Sequence, residues 1–176
     1  KITDFLGWTQ QEKEPENTGS DAVSVQTSYE KVDDYYILNG RKKWISFGGI
    51  ADLFLVIASN NGEITAFLVE RSMPGIETTL MSSLIGNRGS YVAEIEFKDV
   101  KVPAENVIGR VGAGFSFVAN TALFYGRYSI AWAGVGIAQS ALEEMVTYAR
   151  EREQFGRKIG SNQLVQRLIA NAVTKV

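Results

Sequence analysis

The sequence predicts an α+β fold, an antiparallel β region followed by a helical region, and three observations carry that prediction. Residues 23–30 place Val23, Val25, Thr27 and Tyr29 alternately with Ser24, Gln26, Ser28 and Glu30, the period of a half-buried strand. Turn signals then recur at short intervals through the first half: Asp33-Asp34, Asn39-Gly40, Asn60-Asn61-Gly62 and Pro74-Gly75. From Phe115 onward the pattern changes to small and apolar residues at helical spacing, and no proline interrupts it.

In order along the chain, Val32-Asp33-Asp34 turns into the strand Tyr35-Tyr36-Ile37-Leu38. Asn39-Gly40 is a hairpin signal leading into Lys42-Lys43-Trp44-Ile45. Residues 53–58 form a continuous apolar strand, and Asn60-Asn61-Gly62 turns it into a second over residues 64–69. Pro74-Gly75 makes a further turn, residues 91–97 alternate again, and residues 100–103 read as an edge leading out of the sheet. Short strands with turns between them predict a small barrel or sandwich. Gly109-Arg110-Val111-Gly112-Ala113-Gly114 has a superficial likeness to a phosphate cradle. It lacks a following Lys-Ser/Thr and a βαβ setting, so it reads as a linker.

The helical run carries Ala131, Ala133, Gly134, Gly136, Ala138, Ser140 and Ala141, residues that suit close helix packing. It is expected to close at Arg150-Glu151-Arg152-Glu153-Gln154-Phe155-Gly156-Arg157, with Gly156 as its stop. Three arginines in eight residues beside a Phe are unusual for a helix end, although cations there also suit the dipole. Arg pairs bidentately with phosphate, and an aromatic ring beside it covers an adenine or flavin face. Ser161 is the expected cap of a second helix, in which Leu164, Val165, Leu168, Ile169, Ala172 and Val173 share one face. Two such helices cannot bury their apolar faces against each other alone, so a longer protein or neighbouring chains are expected to cover them.

Composition narrows the chemistry. Within 176 residues there is no histidine and no cysteine, which removes the commonest general base, thiolate nucleophiles, disulfides and most zinc sites. Lys+Arg 18 against Asp+Glu 20 leaves a net charge of −2, with no electrostatic case for nucleic acid. Chemistry must therefore run on carboxylates, Lys, Tyr, Ser/Thr or a cofactor. No signal peptide and no membrane-spanning apolar run is present, and the expected location is cytoplasmic.

Four segments in order resemble the acyl-CoA dehydrogenase family of flavoenzymes: Gly19-Ser20-Asp21; Asn39-Gly40 through Trp44-Ile45-Ser46; Phe97 through Asp99, Pro103, Asn106 and Gly109 to Gly112-Ala113-Gly114-Phe115; and Arg127 through Gln139 to Arg152-Glu153-Gln154-Phe155-Gly156 and Gln163. The resemblance implies an antiparallel β-barrel-like middle domain over residues 1–108. The long antiparallel helices of an incomplete helical bundle would follow over residues 109–176. It also implies FAD, an acyl thioester on CoA or acyl carrier protein, an electron acceptor, and a homo-oligomer (a dimer or dimer of dimers).

Carried over position by position, Ser20 would contact FAD or the entrance for the thioester. Trp44 and Ile45 would flank the isoalloxazine, and Ser46 would hydrogen-bond near its N5. Arg152, Gln154 and Phe155 would reach the FAD of a neighbouring subunit, joined by Gln163. Tyr125 and Arg127 would meet the acyl-pantetheine arm. Each position also has a plainer reading: Trp44 as core, Ser20 as a turn residue, Gln163 as a helix surface residue.

Two departures stand out. The polar loop before Gly19 is long, and Trp8-Thr9 is the reading for its flavin contact, with Glu14-Pro15 as the alternative. Gly126 occupies one of the family's two positions for the Glu that removes the α-proton, so a catalytic base is expected outside this chain. Glu143 and Glu144 read as a solvated helix face. Residues 125–132 are also similar to the branch acting on acyl groups tethered to acyl carrier protein. The competing readings are a non-catalytic binding or assembly module and a flavin-dependent oxygenase relative.

Overall fold

The computed structural model describes residues 24–176, which group into two units, one ending at Gly126 and one beginning at Arg127. The first unit is built on β1 (Ser28–Val32), β2 (Tyr35–Ile45), β3 (Leu53–Asn60), β4 (Glu63–Glu70), β5 (Ile76–Leu80) and β6 (Ala93–Pro103). They form one sheet in the order β4-β3-β1-β2-β6-β5, antiparallel throughout except where β1 meets β3.

The sheet is open, so the barrel-like closure expected from the sequence is not formed. Closure would require β4 to pair with β5. Instead the chain after β6 occupies the free edge of β4: Phe67 bridges Val107, the Ile108 amide donates to the Ala66 carbonyl at 2.9 Å, and the Asn106 side chain donates to the Leu68 carbonyl at 2.8 Å. An edge covered this way has few backbone groups left to recruit another strand.

Asn39-Gly40 is not a hairpin. β2 runs straight through it, and the two residues sit at a register shift against β6. The Asn39 side chain donates to Asp99 Oδ1 at 3.0 Å and accepts from the Asp99 amide at 2.8 Å, so its turn-forming groups serve a strand pairing. Gly40 has φ 147°, and a Cβ there would lie 2.7 Å from the Thr27 Cα. Glycine is needed for close backbone approach at a bulge rather than for a chain reversal. The first strand begins at Ser28, later than the alternation suggested. β5 carries little alternating pattern, and residues 100–103 continue β6 against β2.

The core lies on one face of the sheet around Leu38, Phe67, Val69, Val100 and Val102. Tyr29, Tyr36 and Phe67 meet edge-on with centroids 5.2–5.7 Å apart, the preferred geometry for aromatic rings. A smaller cluster joins Ile57, Ile64 and Ala66 to Val118 and Ala119. The glycine-rich segment packs onto β4: Gly112 donates to the Thr65 hydroxyl at 3.0 Å, and that hydroxyl donates to the Tyr29 oxygen at 3.0 Å. Burial pushes the Tyr29 phenol above its ordinary value, opposed by the Thr65 hydrogen bond. A Cβ on Gly114 would lie 2.6 Å from the Thr65 carbonyl carbon, so this linker is a packed element.

A six-residue π-helical turn, Gly114–Ala119, leads into α1 (Asn120–Glu151). In the second unit α1 ends at Glu151 without a glycine. A two-strand hairpin follows, β7 (Glu153–Gln154) and β8 (Arg157–Lys158), then α2 (Gln163–Val173). Gly156 is thus a hairpin residue rather than the helix stop. Asn162, not Ser161, precedes α2 as its cap residue, while the Ser161 hydroxyl donates back to the Lys158 carbonyl at 2.7 Å. Among the described residues from Arg127 on, only Ala149 is buried. None of the helices there is long and apolar enough to cross a membrane.

Candidate functional site

The first unit gathers one group of expected contacts at the end of β2. A register shift between Lys42 and Ile45 turns Trp44 to φ 64°, and its ring is 40% exposed. Ile45 packs into the core, and Ser46 is half-buried at the start of the connection to β3. Phe47 (φ 58°), Asn87 (φ 54°) and Tyr91 (φ 43°) share the left-handed conformation. The two loops carrying them are joined: Phe47 donates to the Ser90 carbonyl at 2.6 Å and Gly49 to the Tyr91 carbonyl at 3.0 Å. Each such non-glycine residue costs on the order of 1–3 kcal/mol, and such residues concentrate at functional sites. Sequence reasoning singled out Trp44 and Ser46 of this rim as candidate contacts and passed over the loop of residues 81–90, which no periodicity marks.

Arg71, at the end of β4, underlies the rim. Its guanidinium donates to the carbonyls of Gly48 and Ala51 and to the Thr78 hydroxyl, the last at 2.8 Å. Tyr125 is exposed on α1 with its ring edge-on to Phe124 at 5.5 Å. Gly126 follows it within the helix, so no carboxylate stands at that position.

The second unit gathers the other group. Gln154 pairs with Arg157 across a two-residue turn in which Phe155 has φ 51° and Gly156 φ 72°. Positive φ at both central residues is the type I′ signature, which favours Asn or Asp before Gly. A Phe there is strained, and its ring is completely exposed. The hairpin is held rigidly: Ile159 donates to the Arg152 carbonyl at 2.9 Å, Lys158 pairs with Glu153 at 2.8 Å, and Arg157 donates to Asn162 at 2.6 Å.

Arg157 is therefore occupied in joining the hairpin to the start of α2, where Gln163 is exposed. Arg150 and Arg152 have no ion pair or side-chain hydrogen bond among the described residues. Arg127 is exposed on α1. Glu143 accepts from Gln139 at 3.2 Å on the solvated face expected of it. Trp8, Thr9 and Ser20 lie outside the described residues.

Within the first unit, Trp44 holds an aromatic ring out from left-handed backbone, which suits contact with a flat heterocycle. Within the second, Phe155 presents another ring near Arg150 and Arg152 in sequence, and two arginines without partners among the described residues suit an anionic oxygen cluster. No group of His, Cys, Asp or Glu among the described residues suits a metal ion.

Comparison with known proteins agrees. Residues 13–100 match the acyl-CoA dehydrogenase middle domain, and residues 112–176 match the acyl-CoA dehydrogenase C-terminal domain. The isovaleryl-CoA dehydrogenase of Oryza sativa, named as mitochondrial, is 39% identical over 91% of this chain, which spans 40% of that relative's length. An acyl-CoA dehydrogenase of Bacillus anthracis complexed with FAD is similar at a TM-score of 0.85 and 33% identity, over 94% of this chain and 28% of that one. The prolyl acyl carrier protein oxidase AnaB is similar at a TM-score of 0.86 and 34% identity, over 93% of this chain and 44% of that one. With both domain types matched in order and the fold shared with these enzymes, this chain belongs to the acyl-CoA dehydrogenase family.

Proposed function

We propose that the protein carrying this chain oxidises an acyl thioester with FAD, forming the α,β-double bond. The observation that carries this reading furthest is Phe155. It is a bulky ring in a turn position that disfavours it, fully exposed, on a hairpin held rigid on both sides and beside an unpaired Arg152. Strain of this kind persists when the presented group has a use.

The reaction removes a proton from the α-carbon and a hydrogen with its electron pair from the β-carbon. FAD, when bound, supplies the acceptor for that electron pair. Trp44 would wall one side of the flavin and keep water away, and the Ser46 hydroxyl would donate to its edge. Arg152 would neutralise phosphate charge while Phe155 and Gln154 contact the adenine of a cofactor held by a second copy, with Gln163 completing that set. Such a division makes the working unit a homo-oligomer. Tyr125 and Arg127 would position the pantetheine arm, Ser20 and Trp8-Thr9 would belong to the flavin rim, and an electron acceptor would reoxidise the cofactor. With glycine at 126, the proton-accepting carboxylate comes from another part of the protein.

The carrier of the acyl group is CoA or acyl carrier protein, and the likeness to AnaB supports including the latter. The cytoplasm is the proposed location. Anaerobic mixing of the purified protein with one acyl group, once on CoA and once on carrier protein, tests the proposal through bleaching of flavin absorbance. Bleaching by either is the expected result and identifies the carrier. Bound flavin that no acyl thioester bleaches would overturn the dehydrogenase reading.

A further inference from the structure

Arg71 is half-buried, yet no carboxylate among the described residues pairs with it. Its acceptors are neutral: the carbonyls of Gly48 and Ala51 and the hydroxyl of Thr78. Phe54 lies under the guanidinium, 5.3 Å from ring centroid to the central carbon. The two carbonyls belong to the connection between β2 and β3. There the amides of Ile50 and Ala51 both bond to the Phe47 carbonyl, at 2.9 and 2.8 Å. That is one tight turn ending without continuation, and like the last turn of a helix it leaves later carbonyls without partners. The planar fork of Arg71 supplies them, and its third arm ties the turn to β5 through Thr78. The Arg71 amide adds a bond to the Asp52 carbonyl at 2.8 Å.

We propose that Arg71 is a positioning residue for the flavin rim. It acts through the turn of residues 46–52 to hold Trp44 and Ser46 in place, and the inference rests on the functional reading above. Trp44, two residues before this turn, and Phe47, within its start, are in left-handed backbone, and such a conformation survives only where its surroundings over-determine it. One side of the turn is fixed by the backbone bonds to Ser90 and Tyr91, and the other by Arg71 together with the burial of Ala51 in the core. Lys could not replace it, because an ammonium carries its donors on one atom and cannot span three separated acceptors.

The test compares Arg71→Met, Arg71→Lys and Thr78→Val in the protein carrying this chain. Arg41→Gln serves as the control, since Arg41 lies on the same strand as Trp44 and its half-exposed side chain pairs with Glu94 rather than with the turn. Two quantities are read well below each unfolding temperature. The first is amide hydrogen exchange of Gly49, Ile50 and Ala51 without flavin. The second is FAD affinity together with the position of the flavin absorption band. Arg71→Met is expected to speed exchange in the turn while amides of β3 and β4 stay protected, to weaken FAD binding about tenfold, and to shift the band. Arg71→Lys should recover stability but neither exchange nor spectrum.

Unchanged exchange in the turn overturns the proposal. So does faster exchange with unaltered FAD affinity and band position. Should Arg71→Met fail to fold, Thr78→Val removes one arm only, and the same two readouts decide with a smaller expected change. A wild-type protein that binds no flavin would defeat the functional reading, while the exchange measurement would still judge the role of Arg71 in the turn.

Discussion

Among the described residues the same two-residue turn is built twice, and the two copies differ in what they hold. Asn61-Gly62 joins β3 to β4 with φ 50° and 86°, and Phe155-Gly156 joins β7 to β8 with φ 51° and 72°. In the sheet, the turn uses the residue pair that tolerates such backbone best. In the helical unit, the first position is given to an aromatic ring that the backbone accommodates poorly. The surroundings differ in the same sense. Phe67 and the rings it meets in the sheet are buried, whereas Ile137, Trp132 and Phe155 lie open. The buried apolar residues of the sheet stabilise the unit that contains them. Those of the second unit are left open within it, and an oligomer that covers them is part of the proposed function.

The contrast is tested most severely by truncating one apolar side chain in each region. Phe67→Ala should cost about 3–5 kcal/mol of unfolding free energy, read by chemical denaturation. Ile137→Ala should leave the protection of amides in β3 and β4 within about 0.5 kcal/mol of wild type. Equal losses would erase the distinction. Next in size, Phe155→Asn converts the second turn into the chemistry of the first. The hairpin should gain a little stability while FAD binding weakens by about 1–3 kcal/mol, the worth of one aromatic stacking contact. Unchanged affinity measured by flavin titration would show that the strained Phe has no binding role.

The smallest effect concerns the charged face of β2, β5 and β6. The Lys98 ammonium beside Glu96, reinforced by Arg41, holds the Glu96 carboxyl below its ordinary value. A lowered folded-state value gives stability that is complete above the ordinary carboxylate range and is lost as pH falls through the folded value. Glu96→Gln should therefore lower the melting temperature slightly at neutral pH, where the pair contributes fully, and the difference from wild type should vanish as pH falls through the folded carboxyl value, flattening the acid limb. Lys98, raised chiefly by the same pair, loses its contribution only at strongly alkaline pH.

Legibility followed the range of the interactions. Asp33-Asp34 and Asn61-Gly62 were readable because a hairpin turn and its two strands are contiguous. Asn39-Gly40 carries the same letters, but its partner is Asp99, and no local pattern encodes that pairing. Closure into a barrel could not be judged from strands alone, because residues 106–108 rather than a strand cover β4. As candidate contacts, Trp44, Ser46, Arg152 and Phe155 could be singled out through motif order. Arg71 could not, since its partners Gly48 and Ala51 offer only backbone, which leaves no trace in side-chain identity.

The order of the strands also bears on how the protein emerges during synthesis. β3 and β4 are adjacent in sequence and can pair as soon as both exist, but β2 must wait for β6, with Asn39 and Asp99 sixty residues apart. At about 5–20 residues per second that wait lasts roughly 3–12 s. Throughout it one side of β2 offers unpaired amides and carbonyls to any other nascent chain. A slow stretch of translation placed just before β6 would lengthen that exposure, and one placed after β6 has left the ribosome would not.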